Sequence, residues 1–355
     1  MDSDFSTNRH ASEIQPQQPH QTIPSRHPDL SFADGNIALL SGSVYFLVHR
    51  GLLCRHSVPL QKALDQTTKT LDPRIQIEGR PVLHLVDTPH DVAHFLYALY
   101  DGILSVKFDP PNFPVIDALL RLTTKYQVKH LRSSLLREIQ RTQWPVRLTH
   151  WEIREAEATD ANGHYDARLH YPHPILVINL ARAIQAPEIL PSAFYDLSRC
   201  VVSETTAGYT DAENVVHQLS PQDLMSLLKG REHASRFLST FIVNELEGRQ
   251  PSDNCVHIRD EEPARRRACQ AAFESITFEI LRDVNGVTHR NSDPLFAIVD
   301  AELMQTRDTQ GHMSVLRACE FCRLEFGTAV DQAREEFWHR MPSWFGVELE
   351  GGVWP

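Results

Sequence analysis

The chain has 355 residues, of which 41% are hydrophobic and 23% charged, so one to three globular domains with a sizeable core are expected. A formal net charge of −11 argues against non-specific nucleic-acid binding, which needs a cationic surface. Six cysteines do not imply a disulfide scaffold. The best apolar run, 175–180, is interrupted by Asn179 and too short for a bilayer, and no secretory signal opens the chain; a cytoplasmic or nuclear protein without membrane or nucleic-acid partners is the expectation.

Residues 1–30 are polar and rich in Gln, Pro, His and Ser, and 15–21 shows no apolar periodicity, which predicts a disordered tail. Two short apolar runs, 34–40 and 44–48, flank Ser41, Gly42 and Ser43 and predict a hairpin. Residues 52–57 open a helix, and 82–86 alternates as a third strand. Thr88, Pro89 and Asp91 form a helix start, followed by an apolar stripe of Val92, Phe95, Leu96, Leu99 and Tyr100 that Gly102 ends. A helix pair follows, with Leu119, Leu122, Tyr126, Leu131 and Leu135 on its stripe.

After the break at Trp144 and Pro145, 147–174 reads as irregular and a helix begins near Ile175. A second helix restarts around Pro191. Ser220 and Pro221 cap a short helix, 224–228, expected to stop at Gly230, and another runs through Phe237, Leu238, Phe241 and Ile242. The last helices are expected at 265–281 and 329–341, the latter ended by Pro342. No solenoid-length repeat is present.

The ordered signals between Asp34 and Leu136 resemble a BTB/POZ domain. Asp34, Phe46, His49, Leu53 and Ser57 stand at the places of that family's D-x-x-φ…F-x-x-H-x-x-x-L…S signature. Tyr100 and Gly102 match its Y-x-G element, and Tyr126 its L-x-x-A-x-x-Y-x-V segment, with Thr123 or Thr124 in place of Ala. Further along, Leu180-Ala181-Arg182, 190–197, Leu219-Ser220-Pro221, Gly230-Arg231-Glu232, Cys319 with Cys322, and Trp338 to Gly346 are similar to the C-terminal region of the large BTB family of mushroom-type fungi.

The resemblance implies an α+β chain: a BTB/POZ fold, a small β-sheet with helical hairpins, at 31–140, then a mostly α-helical region at 141–355. It implies a non-enzymatic protein–protein interaction module that self-associates as a homodimer or docks a protein partner. It also implies that Asp34 and His49 meet as a partly buried structural pair. Leu52, Leu53, Leu60 and Leu64 are interface candidates that the sequence does not separate from core. A cullin-type ubiquitin-ligase adaptor is an alternative, although the φ-x-Glu element that often follows the Ser57 helix is missing. A transcription regulator lacks a zinc-finger array or basic segment, and an enzyme would need an unrecognised C-terminal site.

Candidate chemistry centres on cysteine. Cys319 and Cys322 form C-x-x-C, two thiols on one side of a helical turn. A zinc ion needs four ligands, and Cys255, His257 and Cys269 are available to complete the set. The plainer reading makes these small core cysteines and requires no cofactor, with structural zinc at Cys255, Cys269, Cys319 and Cys322 as the alternative. A thioredoxin-like role lacks its strand context. His164, His170 and His173 lie near Asp166, in a segment whose Pro172 and Pro174 suggest an exposed loop rather than a metal site. Arg265, Arg266 and Arg267 follow Asp260, Glu261 and Glu262 and read as a salt-bridged face. The phosphate-binding, dinucleotide, nucleophile-elbow and H-E-x-x-H motifs do not occur.

Overall fold

A computed structural model describes residues 23–69, 76–161, 163–282, 293–306, 317–349 and 354, so the predicted tail lies outside it up to residue 22. The structure is mixed: a small sheet and many helices. It falls into two compact units, divided between Tyr97 and Ala98.

The first unit carries β1 (Ser25–Ser31), β2 (Ile37–Ser41), β3 (Val44–Val48), α1 (Arg50–His56), α2 (Val58–Lys69), β4 (Gln76–Ile77), β5 (Arg80–Leu85) and most of α3 (Pro89–Asp101). Strand β1 lies where the polar composition predicted tail. Its side chains are mostly exposed, so it has little apolar pattern to read, and pairing with β3 orders it. The sheet order is β1-β3-β2-β5-β4. Strands β2 and β3 form the expected hairpin, but Ser41 pairs with Val44 as the last residue of β2, so the connection is two residues rather than the expected three, with Gly42 at φ +53°. Strand β5 runs parallel to β2, and a parallel pair needs a crossover, which α1 and α2 provide.

Register places Ile37, Leu39, Phe46, Val48 and Leu83 on one face of this sheet and Ala38, Leu47 and Val82 on the other, and all eight are buried. Ser57 separates α1 from α2 and caps the latter, its Oγ accepting from the Leu60 amide at 3.1 Å.

The second unit is helical. After Gly102, at φ +80°, come α4 (Phe113–Lys125), α5 (Lys129–Thr142), α6 (Leu148–Glu157), α7 (Pro174–Ile184), α8 (Leu190–Ser198) and α9 (Val202–Ala207). A ribbon of β6 (Tyr209–Thr210) and β7 (Val216–His217) precedes α10 (Pro221–Phe241). A π-turn at Ile242–Leu246 ends α10; then come α11 (Pro263–Arg266), α12 (Ala268–Arg282), α13 (Pro294–Thr306) and α14 (Glu320–Trp344). The helix pair α4–α5 belongs to this unit: α4 packs on α7, and Arg132 donates to the Ile184 carbonyl at 3.0 Å.

Three helices differ from expectation for identifiable reasons. Helix α6 occupies part of the segment read as irregular, because its buried face is made by Trp151 and a charged residue, Arg154, which hides the apolar period. Helix α14 begins at Glu320 and passes Pro342, whose missing amide removes one i→i−4 bond only two residues before the helix ends at Trp344. Helix α10 runs straight through Gly230. That glycine is a packing requirement: an added Cβ would stand 2.0 Å from the Phe345 ring. Gly230→Ala is therefore expected to lower stability by about 1–3 kcal/mol through overpacking, although alanine is the better helix former. Urea unfolding measures this; a gain in stability would mean that Phe345 moves aside freely.

A charged network is buried beside α6 and α8. Arg154 bonds Asp196 and Glu155, both at 2.8 Å, and donates to the Gln143 carbonyl at 2.7 Å. Its guanidinium stacks over Trp144, Trp151 and Tyr171. Arg199 bonds Glu155 at 2.7 Å, Asp293 at 2.6 Å and Asp196 at 2.9 Å. Arg168 closes on the same Asp196 oxygen that Arg154 uses. Tyr195 donates to Asp293 at 2.6 Å and accepts from the Leu295 amide at 3.0 Å, tying α13 to α8. Three arginines thus face three carboxylates.

Candidate metal centre

A second core of this unit gathers the π-turn, α12, α13 and α14 around Phe241, Leu246, Phe273, Ile276, Ile298, Phe326 and Val330. The four expected cysteines sit at one end of it. Cys255 comes from the loop after the π-turn, Cys269 from the first turn of α12, Cys319 from the N-cap of α14 and Cys322 from its first turn. Their Sγ atoms all lie within 4.8 Å of one another, and this is the one such group of potential metal ligands among the described residues.

The distances have a chemical meaning. Cys255 Sγ stands 3.7 Å from Cys269 Sγ and 3.8 Å from Cys319 Sγ. Disulfide sulfurs are about 2.05 Å apart, so no pair here is oxidised, and all the cysteines are free. A zinc–sulfur bond of about 2.3 Å gives a tetrahedron with an edge of about 3.8 Å. Two of the six sulfur–sulfur separations match that edge and the others lie within 4.8 Å, an arrangement compatible with four ligands of one metal ion.

Backbone amides support each sulfur. The Ser252 amide donates to Cys322 Sγ at 3.4 Å, the His257 amide to Cys255 Sγ at 3.4 Å, and the Cys319 amide to Cys269 Sγ at 3.2 Å. Burial alone would push the Cys319 thiol up, but the Cys322 and Val256 amides and the Cys322 and Cys269 thiols together outweigh it and bring it to about 7. Burial dominates at Cys269, raised to about 11, and it holds Cys322 higher still. Cys319 is thus poised to ionise, while Cys269 and Cys322 need a cation to favour their thiolates. Cys255, Cys269 and Cys322 are buried and Cys319 is partly open.

His257 joins the site through its backbone, not as the imidazole ligand weighed from sequence; the fourth ligand position is a cysteine. The histidines near Asp166 do not gather in this way. The Asp166 carboxylate accepts from the Arg168 amide, His173 stacks on Tyr209 at 4.3 Å, and Pro172 and Pro174 are buried rather than in an exposed loop.

In the first unit Asp34 and His49 meet at 3.2 Å, as the resemblance implied, but the Asp34 side chain is 84% exposed, so the pair lies at the surface. Phe46, Leu53 and Ser57 are fully buried. Of the interface candidates, Leu53, Leu60 and Leu64 are buried core residues, because their helical period turns them inward, and Leu52 is half-buried. Tyr100 is half-buried near the end of α3, Gly102 ends that helix, and Tyr126 is buried at the end of α4.

No helix among the described residues is long and apolar enough to cross a membrane. No protein-family model matches the chain, and a search of curated proteins finds no match.

Proposed function

We propose that this chain is a protein-interaction protein: a BTB/POZ-like first part that self-associates or docks a partner protein, followed by a helical body closed by a structural zinc tetrathiolate. The sulfur geometry carries the zinc half of this reading, with edges of 3.7 and 3.8 Å at a mostly buried core. Four thiolates fill a tetrahedral zinc ion, whereas catalytic zinc keeps one position for water or substrate. The metal's task here is cross-linking. It joins a loop to the starts of two helices that are distant in sequence, much as a disulfide would in an oxidising compartment.

The interaction half of the proposal rests on the resemblance and on compatible local structure. The β2–β3 hairpin, the α1–α2 crossover and the return on β5 follow one another on the residues that carry the motif. The buried Leu53, Leu60 and Leu64 build that unit, so a docking surface would draw on its exposed residues rather than on this stripe. Light scattering of the full chain across a concentration series is expected to show a dimer at low micromolar concentration. A monomer throughout, with no partner retained on a column of the immobilised chain, would reject the interaction reading while leaving the metal centre to be judged by its own metal content.

A further inference from the structure

Helix α3 carries a second pair of metal-competent side chains, in the first unit. Thr88 caps its start, its Oγ1 accepting from the Asp91 amide at 3.2 Å, and Pro89 occupies the first turn. Val92, Ala93, Phe95 and Leu96 are buried, which fixes the helix's rotation. His90 and His94 are four residues apart and therefore share one face, away from that buried stripe.

Their Nε2 atoms stand 3.2 Å apart, with ring centroids at 4.4 Å and planes at 79°. Without a cation, one ring must donate its proton to the other. With metal–nitrogen bonds of about 2.0–2.1 Å, two ligands of a tetrahedral ion stand roughly 3.3 Å apart, and two cis ligands of an octahedral ion roughly 2.9 Å. The observed separation lies between these values. On the outer side, His90 Nδ1 lies 3.9 Å from Asp91 Oδ1, a nearby carboxylate beyond hydrogen-bond distance. The mostly exposed His90 leaves the approach to the pair open.

We propose that His90 and His94 form a bidentate site for a divalent transition-metal ion of the zinc, nickel or copper class. Its remaining coordination positions are open to water or to a ligand from outside the chain. Two imidazoles suit these metals and select against magnesium and calcium, which take oxygen ligands. The site differs in kind from the sulfur centre: it is solvent-reachable, coordinatively unsaturated and built on one helix.

Nickel(II) is the probe, titrated by calorimetry into the full-length chain at neutral pH, with zinc content measured on the same samples. The expected result is a saturable nickel equivalent that weakens at least about tenfold in His90→Ala, since losing a direct ligand costs no less than losing an outer-shell partner of one. His90 is 76% exposed, so this variant keeps the fold, which circular dichroism verifies. His94→Gln should give the same loss. Nickel binding equal in wild type and His90→Ala would overturn the proposal, because any nickel taken up would then sit on other histidines or on the thiols.

Discussion

Cys269→Ser is expected to abolish zinc retention and to unfold the region around α12 and α14 at a much lower temperature than wild type. A structural zinc ion contributes apparent free energies of about 10–16 kcal/mol in small peptides at neutral pH. A folded domain as a whole is stable by only about 5–15 kcal/mol, so loss of one thiolate removes a large share of the margin. The effect should be local in origin, because Cys269 is packed with Phe273, Ile298, Cys322 and Phe326 in one core. Were these cysteines merely small core residues, so mild a substitution would cost about 1 kcal/mol and leave the transition nearly in place. Circular-dichroism melting with elemental zinc analysis separates the two outcomes. A variant that melts with wild type and holds as much zinc would remove Cys269 from the ligand set. Chelation of the wild-type chain should reproduce the variant's melt, and zinc should restore it only where all four cysteines remain.

Asp196→Ala is expected to cost about 3–5 kcal/mol. The carboxylate is buried and ion-paired to Arg154, Arg168 and Arg199. Removing it leaves two buried guanidinium groups, Arg154 and Arg199, and the half-buried Arg168 short of a counter-charge. Breaking a buried network costs far more than its net contribution, because the remaining charges stay desolvated.

The same site makes stability depend on pH. Burial alone would push the Asp196 carboxyl up, but Arg168, Arg154 and Arg199 outweigh it and hold it far below the usual carboxylate range. A depressed folded-state value means that this stabilisation is fully present above the unfolded value of about 3.9. It is lost as pH falls below that value toward the folded one. Urea midpoints for wild type should therefore fall steeply below about pH 4, and Asp196→Asn, less stable at neutral pH, should show a shallower acid slope. Identical slopes for the two chains would show that other carboxylates govern acid unfolding.

The sequence was most informative where a local rule acts alone. The Ser41–Val44 turn, the Thr88 and Ser220 caps and the helical stripes of α3 and α4 all lie where turn chemistry and apolar period placed them. It was least informative where tertiary contacts decide. Gly230 reads as a helix stop until Phe345 is seen to need the space of its absent side chain. Helix α6 was hidden because Arg154 is buried by partners remote in sequence. Strand β1 was hidden because its side chains carry no alternation and its pairing partner lies elsewhere.

The candidate metal site was half legible. C-x-x-C fixed Cys319 and Cys322 on one turn, but only the fold shows that Cys255 rather than His257 turns inward and that Cys269 meets it at 3.7 Å. The pair of His90 and His94 has a readable signal, two histidines four apart on an expected helix, but such pairs are common on helix surfaces. The 3.2 Å approach of the two ring nitrogens distinguishes this one. The leucine stripe of α1 and α2 could not be divided between core and interface from spacing, since both roles demand the same residues on the same face.

The most direct measurement for the central claim is cobalt(II) substitution of the full-length chain, read by absorption spectroscopy with the metal-to-chain ratio from native mass spectrometry. One thiolate-bound cobalt per chain is expected, with tetrahedral d–d bands, thiolate charge-transfer absorption of a four-sulfur set, and displacement by zinc. A chain that binds no cobalt through thiolates and leaves all its cysteines freely titratable under native conditions would contradict the account.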